Sequence, residues 1–360
     1  MVPYVKDKLL LNDSQVGALL LFLGAGAIVT MPAIGWLISR IGSRRIILLS
    51  TALITVTLPS LLLMNTPVQM GIMLFLFGAG IGSIDVAMNA HAVQIQNLSE
   101  KPVMSSLHGL FSVGGLFGPL IVLFLLKMNF QPLTALLVLS ALLLLIVSGQ
   151  SGRLMDFNTE REVIARYSPG TTEEKQKQVA WLNTRVLFLG SMCFIVFLSE
   201  GAVLDWSAIF LRDYKGMEEV YLGLGYAAFS IAMAFMRLIG DRIVSRMQGR
   251  KVILVGSLVA ASGFLLIIAT PWIASALAGF VLIGLGAANI VPVFFSEAGR
   301  IKNVPGTAAL AAVTAIGYAG QLAGPALLGF IAEQTSLSMA LGFIGVLMLV
   351  VAFSHFTPKN

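Results

Sequence analysis

Long apolar runs separated by short polar turns dominate the pattern of the chain. The first run, 14–38, contains no Asp, Glu, Lys or Arg, and a longer uncharged stretch, 46–84, is interrupted at Asn65-Thr66-Pro67. About 20 apolar residues cross a bilayer as a helix, so the interrupted stretch predicts two spans rather than one. Five spans are expected before residue 150: 14–38, 46–64, 67–94, 104–126 and 130–149.

The composition changes between residues 150 and 182, where 10 of 33 residues are charged. Such a segment buries little apolar surface, so we expect a solvated linker with a short surface helix at 160–167. Six further spans follow: 186–211, 220–241, 252–268, 271–297, 304–332 and 337–353. The pattern predicts an all-α membrane protein with 5+6 transmembrane helices, divided into an N-terminal half (1–149), a cytoplasmic linker (150–182) and a C-terminal half (183–360).

An internal repeat relates the two halves. Shifting the chain by 206 residues places Gly78 on Gly284, Gly118-Pro119 on Gly324-Pro325, and the basic turn 39–45 on the basic turn 245–251. One offset that serves several helices and turns predicts two parallel repeats, a common plan in transporters. The helix at 186–211 would then have a partner ahead of Met1. Either the chain starts inside a twelve-helix protein, or it is a natural eleven-helix variant whose first helix is missing.

Composition and charge narrow the class of protein. The chain is 57% hydrophobic and 11% charged, with a mean hydropathy of +0.91, which excludes an ordinary soluble domain. Of the 23 Lys and Arg residues, seventeen fall in loops on the side of the linker and five on the other side. This bias predicts a cytoplasmic C-terminus and an outside N-terminus. The net charge of +6 is therefore attributed to basic residues in cytoplasmic loops rather than to a nucleic-acid-binding surface.

Ionisable residues inside the spans are the candidates for chemistry, because each costs roughly 2.5 to 3.5 kcal/mol at the bilayer centre. Asp85 lies four residues before Asn89, on the same helix face. A carboxylate beside a neutral amide suits a site that takes up a proton and binds a polar solute. The alternative is a helix-packing hydrogen bond with Asp85 kept neutral.

Two further residues are candidates for proton coupling: Glu200, near the middle of its span, and His108, which either relays protons or only packs. Asp205 lies about 140° from Glu200 around the helix and could instead anchor its outer end. An indole can stack on a sugar ring, so Trp206 is a solute-binding candidate. The predicted solute-binding residues are Asn89, Trp206, Asp205, Asn289, Tyr318 and Gln321.

Arg237 and Asp241 stand four residues apart near the inner end of their helix, which predicts an ion pair within one helix. We expect this pair to close the cytoplasmic side rather than to bind the solute. The predicted cytoplasmic gate comprises Arg40, Arg44, Arg237, Asp241 and Arg246. The sequence contains no metal cluster, P-loop or nucleophile triad, so no enzyme activity, cofactor or metal is expected.

The segments GWLISRIGSRR and SRMQGRK, between the second and third helices of each half, resemble the major facilitator superfamily. That family places an aspartate before the first arginine, where this chain has Ser39 and Ser245. Asp85-Val-Ala-Met-Asn89 is similar to a signature of fucose:proton symporters, and the segment 200–206 resembles YbjJ-like bacterial permeases. The resemblance implies alternating access, a monomer in the bacterial inner membrane, and Asp85 as the carboxylate that titrates.

The expected function is therefore secondary active transport, by proton-coupled symport of a sugar or similar small polar solute. The expected partners are that solute, protons and membrane lipid. A proton-coupled exporter of amphipathic drugs keeps the same fold and reverses the coupling. A membrane scaffold or sensor without transport activity is the third alternative, suggested by the absent first helix.

Overall fold

The computed structural model describes residues 8–9, 13–99, 101–167, 182–218, 221–302 and 304–354, and throughout these ranges the regular structure is helical. In the N-terminal part the helices are α1 (Asp13–Ile41), α2 (Ser43–Ser60), α3 (Pro67–Ser99), α4 (Met104–Lys127), α5 (Pro132–Gln150) and α6 (Phe157–Tyr167). In the C-terminal part they are α7 (Thr184–Lys215), α8 (Leu224–Met247), α9 (Gly249–Ala269), α10 (Ile273–Ala287), α11 (Ile290–Ala298), α12 (Gly306–Gln334) and α13 (Leu337–Phe353). Short 3-10 turns, Leu61–Leu63 and Ser151–Arg153, follow α2 and α5.

The all-α membrane class is confirmed. Within the described ranges, nine helical segments are long and apolar enough to cross a membrane. The apolar helix α13, with 17 residues, is shorter than these, and α8 carries Arg237 and Asp241 inside its 24 residues. The number of five plus six spans and the division into halves at 149 and 183 stay predictions.

By packing, the chain divides into two compact units. Unit 1 comprises Met1–Gln94, Gly114–Leu182 and Gly299–Ala315, and unit 2 comprises Ile95–Val113, Asn183–Ala298 and Ile316–Asn360. The first part of α4 thus belongs to unit 2, and the first part of α12 belongs to unit 1.

Glycines let α1 and α3 pack closely in unit 1. A Cβ added to Gly78 would collide with the backbone carbonyl of Leu23, and one added to Gly82 would lie 2.6 Å from the carbonyl oxygen of Ala27. Small residues four apart allow such backbone contact between helices in lipid. The small-residue pattern of this span is therefore a packing surface.

The same contacts recur in unit 2 at an offset of 206 residues, which confirms the internal repeat. Gly284 lies against the carbonyl of Phe229, as Gly78 lies against Leu23. Gly286 meets Ala260 between α9 and α10, and its counterpart Gly80 meets Ile54 between α2 and α3. A single offset thus maps two interhelical contacts of one repeat onto those of the other.

The predicted span 271–297 is present as residues 273–298, with a local irregularity in its helix. The sequence pattern predicts a single helix over 271–297, but α10 ends at Ala287 and α11 begins at Ile290. Pro292 explains the break, because it has no N–H to donate to the carbonyl four residues earlier, at Ala288. The corresponding helix of the first repeat, α3, has Val86 at that position and runs unbroken.

The short helix expected in the linker is present as α6, and its buried face is held by hydrogen bonds within unit 1. The backbone N–H of Ser43, the first residue of α2, donates to Glu160 Oε2 at 2.8 Å. His91 bridges the same region, with Nδ1 2.8 Å from Ser43 Oγ and Nε2 accepting from Met155 N at 3.4 Å. Glu160 therefore satisfies an amide at the N-terminus of α2, and His91 has a structural role.

The attachment of α6 is expected to depend on pH through Glu160. Burial raises the pKa of Glu160 above its ordinary 4.5, more than the hydrogen bonds from Ser43 lower it. For an acid whose pKa is raised, attachment is favoured fully below about pH 4.5 and weakens as the pH rises through the higher, attached-state pKa. We expect the protection of α6 amides against hydrogen exchange to fall more over that range in wild type than in Glu160→Gln.

The titration of His91 contributes equally in wild type and in Glu160→Gln, so the difference in protection between the two proteins depends on Glu160. A protection difference between them that does not change with pH, or that grows in favour of wild type as the pH rises, would contradict the role of Glu160.

Candidate functional site

A buried ion pair lies between two long helices of unit 2, α7 and α8. Arg237 Nη2 on α8 is 3.2 Å from Glu200 Oε1 on α7, and the two side chains are only 8% and 16% exposed. Two more groups accept hydrogen bonds from the same guanidinium: Ser112 Oγ from Nη1 at 3.2 Å and the Ala288 carbonyl from Nε at 3.2 Å. Arg237 therefore joins α4, α7, α8 and the turn after α10.

The Ala288 carbonyl is available to Arg237 because it has no N–H donor within its own helix. In a continuous helix it would accept from the N–H four residues later, but that residue is Pro292. Interrupted spanning helices expose backbone groups that can serve polar ligands in transporters. Here the exposed carbonyl accepts from a buried cation, so the break is part of the polar site.

His108 and Ser112 line the same side of α4. Ser112 donates its hydroxyl to the carbonyl of His108 at 3.1 Å, which leaves its oxygen free to accept from Arg237. The His108 ring meets Phe295 edge to face, with centroids 5.8 Å apart, and it lies near enough to Arg237 for the two to interact electrostatically. The structure thus brings His108 and Glu200 to the same cluster around Arg237.

The prediction that Arg237 and Asp241 form an ion pair is wrong. Arg237 contacts Glu200 instead, and the Asp241 carboxylate accepts the backbone N–H groups of Ser105 and Ser106 at 2.9 Å each. These are amides of the first turn of α4, which have no partner within their own helix. Asp241 therefore caps α4 from a neighbouring helix, where a negative charge also complements the helix dipole.

Removing this cap should destabilise the packing of α4. We expect Asp241→Ala to lower the free energy of unfolding by about 1 to 2 kcal/mol, and Asp241→Asn by less because it keeps one acceptor oxygen. Thermal unfolding in detergent measures both. The matched control is Asp213→Ala, whose carboxylate is exposed and paired only with the exposed Arg212; an equal loss in both alanine variants would contradict the cap.

Asp85 and Asn89 form a separate polar group in unit 1. The amide Nδ2 of Asn89 donates to the backbone carbonyl of Asp85 at 2.9 Å, and its side chain also hydrogen-bonds the Asp85 carboxylate. Asp85 is half-buried, whereas Val86, Ala87 and Asn89 are buried. Among the described residues of this unit, no basic side chain forms an ion pair with Asp85. The two residues share one helix face, as predicted.

Among the other predicted solute-binding residues, Asn289 is the next residue after the carbonyl that binds Arg237. Asn289 follows Ala288 in the broken segment and is 3% exposed; its Nδ2 donates to Met236 O at 3.3 Å. Asp205 is exposed, and Trp206 lies against Gly329. Tyr318 and Gln321 of α12 pack on α7, where the Tyr318 ring is 5.5 Å from that of Phe197. Their roles in binding stay predictions.

The remaining gate candidates are basic residues near helix ends. The Arg40 guanidinium stacks over the Trp36 ring at 4.7 Å. Arg44 is half-buried and Arg246 is exposed. Their part in a cytoplasmic gate stays a prediction.

Comparison with known proteins gives the family. The model of the Major Facilitator Superfamily matches residues 1–308, and an uncharacterised MFS-type transporter of Yersinia pestis is 43% identical over 354 residues, 98% of this chain and 89% of that protein. The human organic anion transporter MFSD10 aligns with a TM-score of 0.74 and 14% identity, over 98% of this chain and 88% of that one. The Escherichia coli fucose:proton symporter FucP aligns with a TM-score of 0.70 and 16% identity, over 99% and 93%. This chain is therefore a multi-pass membrane protein that belongs to the major facilitator superfamily of transporters.

Proposed function

We propose that the protein is a secondary active transporter that couples proton movement to the symport of a sugar or similar small polar solute. The observation that carries the proposal is the Asp85 carboxylate, held half-buried on a spanning helix beside the Asn89 amide. A charge in that position is costly unless it serves a polar pathway. Protonation would neutralise Asp85 and allow the loaded carrier to change between its two open states.

The remaining features of the proposal follow from charge and family. The basic turns and the linker would face the cytoplasm of a bacterial cell, with the C-terminus on the same side of the inner membrane. The chain would work as a monomer through rocking of its two repeats. Glu200 and His108 would assist proton movement, and Asn89, Asn289 and Trp206 would contact the solute.

Uptake into proteoliposomes tests the function. With an acidic outside and a pH-sensitive dye inside, we expect a transported sugar to accelerate acidification of the lumen and to accumulate above its outside concentration. A protonophore should reduce accumulation to equilibrium. Solute expelled against its gradient would favour the exporter instead, and the absence of any solute-linked proton movement would favour a scaffold or sensor.

A further inference from the structure

The guanidinium of Arg237 is a permanent cation buried inside unit 2. Arginine stays protonated in proteins, so its charge can be balanced but not removed. In the structure the balance comes from Glu200, which contacts it through one carboxylate oxygen only. The bonds to Glu200, Ser112 and Ala288 use three of the five guanidinium N–H groups, one on each nitrogen.

Adding a proton to Glu200 changes the charge of this cluster. The carboxylate becomes neutral, and Arg237 is left as a buried cation without a counterion, which is unfavourable in a medium of low dielectric constant. Ser112 and the Ala288 carbonyl provide dipoles but no negative charge. An anion that enters together with the proton restores the neutrality of the cluster, whereas a neutral solute does not.

We propose that the transported solute carries a carboxylate, which replaces Glu200 on the guanidinium of Arg237 when Glu200 takes up the proton. The solute is then a sugar acid or a similar small polar carboxylate. The proton comes from bulk water and resides on a Glu200 carboxylate oxygen, and the solute carboxylate accepts from guanidinium N–H groups. The inference rests on the proposed function, since it names the solute class of that transporter.

The same geometry favours a carboxylate over other ways of balancing the charge. Arginine offers parallel N–H groups that match the two oxygens of a carboxylate, and this pairing is stronger than a bond to a neutral oxygen. The hydroxyls of a sugar acid can in turn bond to amides such as Asn289 on the neighbouring turn. The site would therefore bind the carboxylate of the solute through Arg237 and its hydroxyls through Asn289.

Matched pairs of solutes test the inference in wild-type proteoliposomes. The probes are D-glucose and D-glucuronate, D-galactose and D-galacturonate, and D-mannose and D-mannuronate, each added to liposomes containing a pH-sensitive dye. We expect at least one acid to drive proton entry at least about tenfold faster than its neutral partner, which corresponds to about 1.4 kcal/mol. The membrane potential is clamped at zero with potassium and valinomycin, so that the charge of each solute does not itself drive or oppose proton entry.

The double variant Glu200→Gln/Arg237→Met removes both charges of the cluster together. It should lose the response to the acid at least about tenfold while it melts near the wild-type temperature. Proton entry driven by the neutral sugars and not by the acids would overturn the inference and leave the proposed function intact, as would an acid response that survives in the double variant. No proton movement with any of the six solutes would instead contradict the proposed function.

Discussion

Glu200→Gln should destabilise the protein more than any other single substitution among the polar residues of unit 2. It leaves Arg237, 8% exposed, without its counterion, and removing one partner of a buried ion pair costs about 3 to 5 kcal/mol. Arg237→Met should cost less, because the remaining Glu200 can take up a proton whereas an arginine cannot release one. We therefore expect Glu200→Gln to lose more stability than Arg237→Met.

The double variant Glu200→Gln/Arg237→Met should recover most of this loss, since it leaves no buried charge. Thermal or denaturant unfolding of the four proteins in detergent completes a double-mutant cycle. The matched control is the exposed pair Arg212 and Asp213, at 2.7 Å, where a cycle should give no measurable coupling because water screens both charges. A Glu200→Gln protein as stable as wild type would contradict the buried pair.

Local sequence signals were sufficient for the all-helical membrane class and for the repeat. The nine helical segments found in the described residues are each at least 21 residues long, and Gly78 and Gly284, which match at an offset of 206 residues, each lie against the backbone of a neighbouring helix. Contact between backbones leaves no room for a side chain, so the repeat remains visible where the other residues differ. Helix geometry places Asp85 and Asn89, four residues apart on α3, side by side in the structure.

The partners of Arg237 and Asp241 could not be derived from spacing. A spacing of four residues within one helix permits an ion pair, but groups that are distant in sequence compete for both Arg237 and Asp241. The amides at the start of α4, 136 residues earlier, hold Asp241, and Glu200, 37 residues earlier, holds Arg237. Exposed pairs within a helix contribute only about 0.2 to 0.5 kcal/mol, so a buried partner readily displaces them.

One signal for the broken helix was present in the sequence. Pro292 follows Ala288 by four residues, which is the spacing at which a proline frees a helix carbonyl. The first repeat has no proline at the equivalent Val86, so the offset itself marks the second repeat as the altered one. That comparison places the polar site at residues 288–289, although it does not identify Arg237 as the group that binds there.

Asp85→Asn should abolish accumulation of the solute while leaving exchange intact. An asparagine keeps the shape and can still hydrogen-bond Asn89, but it cannot take up and release a proton. One proton entering down a gradient of one pH unit supplies about 1.4 kcal/mol, enough for about tenfold accumulation at zero membrane potential, so the expected loss is from that ratio to equilibrium.

Counterflow, in which labelled solute outside exchanges for unlabelled solute inside, needs no proton gradient. It should therefore persist in Asp85→Asn, and this separates a defect in coupling from a defect in folding or binding. The matched control is Asp213→Asn, because that carboxylate is exposed and pairs with the exposed Arg212 next to it. If Asp85→Asn still accumulates solute against its gradient, Asp85 is not the coupling carboxylate. Proton coupling would then depend on the cluster of Glu200 and Arg237 alone. In that case the double variant Glu200→Gln/Arg237→Met should abolish accumulation.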